Sequence, residues 1–335
     1  MTLRIITGGL QTTIQDLGRA GHQRSGIPVC GAMDPFAHRV ANMLVGNDEH
    51  EATLEASLLG PAITFDEAAV IALAGGDLSA TISGNDVAPW HAFAVPEGAT
   101  LRFGEARVGC RAYIAVAGGI ELTPVFGSRS TYLRAGFGGL EGRALRSGDV
   151  VRPGTLSPLA RRIASGLRAS GATAVGRWTV ATSARPAYND DPIVRVVPGA
   201  HHELLDDASR DRLLSSTFRV SSNSDRMGYR LNGVELSLRE PTELLSEGVA
   251  FGTIQLPPGG EPIVLMADHQ TTGGYPRIGE VASVDLPLIA QLKPGDRLRF
   301  RLVSVEKAQQ AYLAQERDLA MARAAIELRY SRGTS

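Results

Sequence analysis

Ile263-Val264-Leu265-Met266-Ala267 runs without a break into Asp268-His269-Gln270-Thr271-Thr272-Gly273-Gly274-Tyr275. Five apolar residues make a strand and are too few for a helix. The eight that follow place acid, imidazole, carboxamide, hydroxyl and glycine at the strand's end. The same grammar recurs elsewhere. Val70–Ala74 meets Gly75-Gly76-Asp77, Ala112–Ala117 meets Gly118-Gly119, and Ile193–Val197 meets Pro198-Gly199. Short runs closed by turn residues predict a mainly β chain of sheets or barrels. The 38 glycines and 18 prolines supply the turns that such a chain needs.

A second pattern occurs three times. Pro96-Glu97-Gly98, Arg146-Ser147-Gly148 and Lys293-Pro294-Gly295 each lead into a partly alternating run. Each reads as a glycine turn with positive φ feeding a strand. Helices are few. Asp34-Pro35 is an N-cap followed by Pro at the first helical position, with Phe36, Val40, Met43 and Leu44 on one stripe. Gly46-Asn47 ends that helix. Ser157-Pro158 starts another, Leu159–Leu167. Val305–Tyr330 reads as one long amphipathic helix, with Ala308, Leu313, Met321, Ala324 and Leu328 among its apolar positions. At roughly 100–200 residues per domain, 335 residues suggest two modules. They are expected at 1–155 and 191–304. A linker rich in Ala, Arg, Ser and Gly is expected at 156–190, and a helix with its tail at 305–335.

Composition excludes several functions. The formal net charge is −1, which argues against a polyanion-binding surface or a basic membrane footprint. Aromatics at 5% argue against base-stacking platforms. No nucleic acid and no membrane partner is expected. The longest apolar run, Ala68–Ala74, is too short to span a bilayer. The first residues lack the apolar core of a signal peptide, so a cytoplasmic protein is expected. Cys30 and Cys110 form no metal-binding or disulfide spacing. His201-His202-Glu203 is not metal spacing either, and no metal site is expected. The only lysines are Lys293 and Lys307. Neither lies in a phosphate-binding loop or in the Met-Lys-Met setting of a biotin carrier. If ATP or biotin is used, much of the machinery must come from another chain or domain.

Three segments carry more polar chemistry than a strand framework needs. The first is Thr13-Ile14-Gln15-Asp16-Leu17-Gly18-Arg19, where glycine permits close backbone approach and Arg19 can grip a carboxylate through two nitrogens. A structural Asp–Arg pair would look the same. The second holds Asp34, which capping explains by itself, and Asn42 inside the helix, facing either a cleft or solvent. The third is the 268–275 segment. Its Gly273 and Gly274 free backbone N–H groups for a developing oxyanion, and Asp268 or His269 can move a proton. Loops 224–230 and 246–257, with Arg226 and Gln255, are expected to line the same cleft.

Taken in order, these motifs resemble one family. They are Thr13–Arg19, Gly31-Ala32-Met33-Asp34, Ala41–Asn47, Ser224–Gly228, Gly252–Pro257 and Asp268–Tyr275. The pattern resembles the allophanate hydrolase subunit 2-like proteins, also called the biotin-dependent carboxyltransferase family, over residues 3–303. The resemblance implies two cyclophilin-like β-barrel modules. It implies a subunit 1-like partner, of the type of KipI or the 5-oxoprolinase B subunit, and allows a third component, a LamB/YcsF-type A subunit. Allophanate hydrolysis itself resembles Ser–Ser–Lys amidase chemistry, for which this chain has no lysine in place.

Three activities follow from the resemblance. The leading one is the C subunit of an ATP-dependent 5-oxoprolinase, a hydrolase that opens 5-oxoproline to glutamate and works in a complex. Asp268, His269, Gln270 and Thr271 would then serve the reacting centre. Arg19 or Arg226 would hold the substrate carboxylate, with Asp16, Asn42, Gly273, Gly274, Tyr275 and Gln255 lining the substrate. The second is a carboxyltransferase acting on urea or a related amide, with biotin carried elsewhere. The third is a non-catalytic antagonist of a KipI-like kinase inhibitor, in the manner of KipA.

Overall fold

The computed structural model describes residues 2–171 and 174–331. Positions 172 and 173 of the expected linker, and 332–335 of the expected tail, lie outside the described residues. The chain is mainly β, with few short helices and one long C-terminal helix. It divides into two compact units. The first comprises Met1–Gly18, Asp34–Arg185 and Arg317–Ser335, and the second Arg19–Met33 with Pro186–Glu316.

In the first unit the strands form two sheets rather than a closed barrel. One runs in the order Val150–Val151, Leu3–Thr7, Ala62–Phe65, Thr100–Arg102, Thr81–Ile82, Asn85–Asp86. The other runs Gln11–Gln15, Thr53–Ser57, Val108–Val116, Ala69–Asp77, His91–Val95. Leu3, Ile5, Ile63 and Phe65 from the first sheet share one core with Ile14, Leu54, Ile71 and Ile114 from the second. The strand Ala69–Asp77 is buried along almost its whole length, which is why its sequence is a run of apolar residues without alternation.

Helix α1 (Pro35–Leu44) starts where capping chemistry requires. Asp34 accepts the Ala37 N–H at 2.9 Å, and Pro35 occupies the first turn. Helix α2 (Pro158–Ala169) is capped by Ser157, whose hydroxyl accepts from Ala160 N and donates to the Gly46 carbonyl. Composition marks 156–190 as a linker, but α2 buries Ala160, Ile163, Ala164 and Leu167 within the first unit. Its spacing is that of an amphipathic helix, and the outward arginines give the stretch its linker-like composition. The division between units falls at Arg185 and Pro186.

The second unit is a closed barrel. Its strand order is Ile193–Pro198, Arg277–Val281, Thr253–Gln255, Ile263–Leu265, Gly228–Asn232, Phe218–Val220, Arg297–Leu302. Closure is made by a parallel pairing of the first and last of these, with Val194 opposite Phe300. Closure removes exposed strand edges. Val194, Phe218, Leu231, Ile254, Val264, Ile278 and Leu298 fill the interior. Met33, from the short N-terminal excursion, belongs to this core as well. Helices α3 (Asp207–Ser215) and α4 (Leu286–Ala290) complete the unit. The three repeated turns have φ of 76° at Gly98, 89° at Gly148 and 94° at Gly295, and each precedes a strand.

The C-terminal helix α5 (Val305–Ser331) lies where its sequence places it, but its buried face differs. Leu319 and Ile326 are its buried residues, whereas Leu313, Met321 and Leu328 are exposed. Positions seven apart share a face, so 319 with 326 and 321 with 328 make two rival stripes. Sequence periodicity alone does not rank them. No helix among the described residues is long and apolar enough to cross a membrane.

Candidate active site

The second unit gathers most of the expected residues. Strands Gly228–Asn232 and Ile263–Leu265 pair with Gly228 opposite Leu265. The ladder continues past their ends, because Met266 N–H donates to Met227 O and Asp268 N–H to Arg226 O. Arg226 and Asp268 therefore face each other as cross-strand neighbours. The guanidinium is bidentate, with Nε and Nη2 each 2.9 Å from a carboxylate oxygen. Both side chains are buried. Nη2 also donates to the Gly31 carbonyl at 2.6 Å. A buried guanidinium is compatible with folding only when its charge and donors are matched, and this one is.

Gly31 belongs to the Arg19–Met33 excursion, which the Arg19 N–H closes by donating to Val29 O at 2.8 Å. Cys30 lies beside it at φ 58°, a left-handed conformation unusual for a residue with a side chain. Burial pushes the Cys30 thiol up to about 12, and Asp268 adds to this, while Arg19 and Arg226 oppose it. The thiol is therefore a neutral donor toward Asp268 and not a nucleophile. Arg19, Cys30, Arg226 and Asp268 thus form one buried cluster.

His269 follows. Its Nδ1 stands 2.6 Å from the Gln270 carbonyl oxygen. A carbonyl can only accept, so Nδ1 carries the proton and Nε2 keeps its lone pair. Burial holds this imidazole below its ordinary pKa, so it is neutral at pH 7. Gln270 Nε2 donates to Gln255 Oε1 at 3.3 Å. Thr272–Gly273 pairs with Glu247–Gly248 as a small antiparallel ribbon, with Gly273 opposite Glu247. The Thr271 carbonyl accepts the Val249 N–H. Tyr275 is exposed at the ribbon's end.

Asp16 and Asn42 belong to the first unit. Asp16 accepts from Ser128 Oγ at 2.6 Å, Ser130 Oγ at 2.5 Å, Arg129 N at 2.6 Å and Gly18 N at 2.8 Å. Burial would raise its pKa, but these four bonds outweigh it and hold the carboxyl below the usual range. Asn42 donates to Glu51 O at 2.7 Å and accepts from Asn47 at 3.0 Å, so its carboxamide ties the end of α1 to the following loop. Neighbouring His38 is buried between Thr53 Oγ1 and Glu49 O, and burial lowers its pKa to about 4.

Other groups carried no sequence signal. In the first unit, Tyr113 OH donates to Glu55 at 2.7 Å and accepts the Asp34 N–H at 2.8 Å. They meet because Tyr113 and Glu55 are directly paired across two strands. In the second unit, Glu280 is raised by burial and receives the Thr253 hydroxyl at 2.8 Å. A cross-strand pair far apart in sequence is invisible without the register. Among the described residues no group of three or more His, Cys, Asp or Glu side chains could hold a metal ion.

A family model described as the carboxyltransferase domain, subdomain A and B, matches residues 25–302. The chain belongs to this carboxyltransferase-domain family. A relative in Escherichia coli (strain K12), the C subunit of 5-oxoprolinase, is 39% identical over 317 residues, covering 94% of this chain and 96% of its own. The C subunit of the Haemophilus influenzae 5-oxoprolinase is 35% identical, covering 89% of this chain and 90% of its own. The crystal structure of Kluyveromyces lactis urea amidolyase superimposes with a TM-score of 0.86 at 29% identity. That match covers 96% of this carboxyltransferase-domain chain but only 20% of the urea amidolyase.

Proposed function

We propose that this chain is the C subunit of a multi-subunit, ATP-dependent 5-oxoprolinase that opens the lactam of 5-oxoproline to glutamate. The observation that carries this reading is end-to-end likeness. The chain matches 96% of a 5-oxoprolinase C subunit, while it corresponds to a fifth of urea amidolyase. The other components would be the subunit 1-like protein and a LamB/YcsF-type protein.

The sequence marks neither a phosphate-loop site for ATP nor a lysine for covalent biotin. There is no glycine-rich phosphate loop, Lys293 is paired with Asp296 at 3.0 Å, and Lys307 sits on α5. ATP binding and the carrying of biotin are assigned to the partners.

What this chain would do is hold and open the amide. The substrate carboxylate is assigned to Arg19, which shares the buried cluster of Cys30, Arg226 and Asp268. Asp268, with its charge matched by Arg226, organises the cluster rather than moving protons. His269 is the proton acceptor. Ring opening adds water across the C–N bond, the oxygen to carbon and a proton to nitrogen. Nε2 of His269 would take the proton from water and return it to the departing nitrogen. Thr271 and the Gly274 backbone would meet the developing oxyanion.

The test is reconstitution. The chain combined with both partner proteins is expected to hydrolyse ATP only when 5-oxoproline is present, releasing glutamate. An assembled complex without that dependence removes the reading. The TM-score of 0.86 to urea amidolyase favours a second reading, carboxyl transfer to urea or a related amide. Urea-dependent consumption of carboxybiotin by the chain would support it instead.

A further inference from the structure

Outside the cluster built on Arg226, the barrel wall pairs Gln255, which the motifs single out, with Arg277, which they do not. Gln255 and Arg277 are paired directly across strands Thr253–Gln255 and Arg277–Val281, at a register shift. Their neighbours Ile254 and Ile278 fill the barrel core, so both polar side chains leave by the outer face. Two buried N–H groups here have no hydrogen-bond acceptor: Gln255 Nε2 and Arg277 Nε. Gln255 is only 1% exposed. An orphaned buried donor costs about 1–3 kcal/mol, so two on facing residues call for an explanation.

Both lie beneath the four-residue ribbon. Arg277 Nη2 pairs with Glu247, and Nη1 reaches toward Gly248 O at 3.5 Å. Across the ribbon, a Cβ on Gly273 would stand 2.4 Å from Gln255 Nε2. The amide of Gln255 is turned by Gln270, which donates to its oxygen and so directs its NH2 away. The guanidinium charge is already matched by Glu247. Glu280, the other acid on this wall, accepts from Thr253. The surroundings therefore suit a neutral acceptor better than a second carboxylate.

We propose that Gln255 Nε2 and Arg277 Nε form a two-donor cradle for the carbonyl oxygen of a small amide, reached when the Glu247–Gly248/Thr272–Gly273 ribbon lifts. This deepens the proposed lactam opening and rests on it. Gln255 and Arg277 would grip the carbonyl oxygen while Arg19 holds the carboxylate. The ribbon suits such movement: two residues on each strand, one ion pair, and glycine at positions 248 and 273. Arg277 was outside the residues that sequence motifs single out.

Two substitutions separate the donors from their structural roles. Arg277→Lys keeps a cation for Glu247 and removes the Nε–H. Gln255→Met keeps the volume and removes the NH2. In the assembled enzyme each is expected to raise KM for 5-oxoproline at least 10-fold with KM for ATP unchanged. On the full chain alone, 2-pyrrolidinone, a lactam without a carboxylate, is expected to shift the Gln255 side-chain NH2 resonances saturably. Arg277→Lys should weaken that response about 10-fold. Wild-type kcat/KM in both folded variants overturns the cradle and leaves the 5-oxoprolinase reading standing. Absence of any 2-pyrrolidinone response overturns it as well, even if either variant fails to fold. If the wild-type complex shows no turnover, the 5-oxoprolinase reading falls and the titration alone decides the cradle.

Discussion

Each unit contains the tripeptide Thr-Ile-Gln at the end of a buried strand, and the two are finished differently. In the first unit, Gln15 donates to Thr13 Oγ1 at 3.0 Å and to Thr131 O at 3.1 Å, and Asp16 is wrapped by the 128–130 loop. What Gln15 leaves over is an oxygen. In the second unit, Gln255 spends its oxygen on Gln270 and leaves over an NH2. Orphaned donors are rarer in proteins than under-used acceptors. The first arrangement therefore reads as a closed joint and the second as a place made for something else. The carboxylates show the same contrast. Asp16 is held by neutral hydroxyls and amides, whereas Asp268 is held by a cation.

That contrast can be broken by substitution. Asp268→Ala leaves the Arg226 guanidinium buried without its counter-charge, and should cost about 3–5 kcal/mol in urea unfolding. Adding Arg226→Met should recover much of the loss. If the two losses simply add, Arg226 and Asp268 do not act as a pair.

Acid should strike the first unit through His38. Its folded pKa, about 4, lies below the unfolded value of 6.5. The unfolded chain then binds more protons between these values, so stability falls as pH drops from 6.5 toward 4. The full difference is worth roughly 3 kcal/mol. His269 shifts in the same direction and adds to it in the second unit. Melting followed by pH should show this slope in wild type and a shallower one in His38→Gln.

Asp16→Asn is expected to be the mildest change, about 1.5–3 kcal/mol, the worth of hydrogen bonds to a charged group. The loss should be confined to the 128–130 loop by hydrogen exchange. Because the Asp16 pKa is held low, its contribution is present above the unfolded carboxyl value and fades as pH falls through the folded one. Equal destabilisation by Asp16→Asn and Asp268→Ala would erase the distinction between neutral and ionic compensation.

Strands and caps were legible in the sequence because their causes are local. Ile263–Leu265 is announced by its own residues, and Asp34 with Pro35 announces α1. The 268–275 segment stood out because carboxamides, hydroxyls and glycines are rarely so dense. What stayed hidden is set by pairing. Tyr113 meets Glu55, and Gln255 meets Arg277, only through strand register. The polar strand residue Arg277 reads alone as a solvated side chain. Helix α2 is readable from Ser157-Pro158, but its packing into the first unit is not, since arginine and alanine on an amphipathic helix match the composition of a tether.

The Arg19–Met33 excursion has a consequence for how the protein is made. Arg226 must find a carbonyl 195 residues earlier in the chain, and the barrel core must wait for Met33. A ribosome will have released the N-terminal third long before its barrel exists. Those fifteen or so residues must stay unspent until the last strands emerge, at the loop-closure cost that slows long-range folding. No single cut in the chain yields two self-sufficient fragments, and a clone beginning at residue 186 would lack a piece of its own interior.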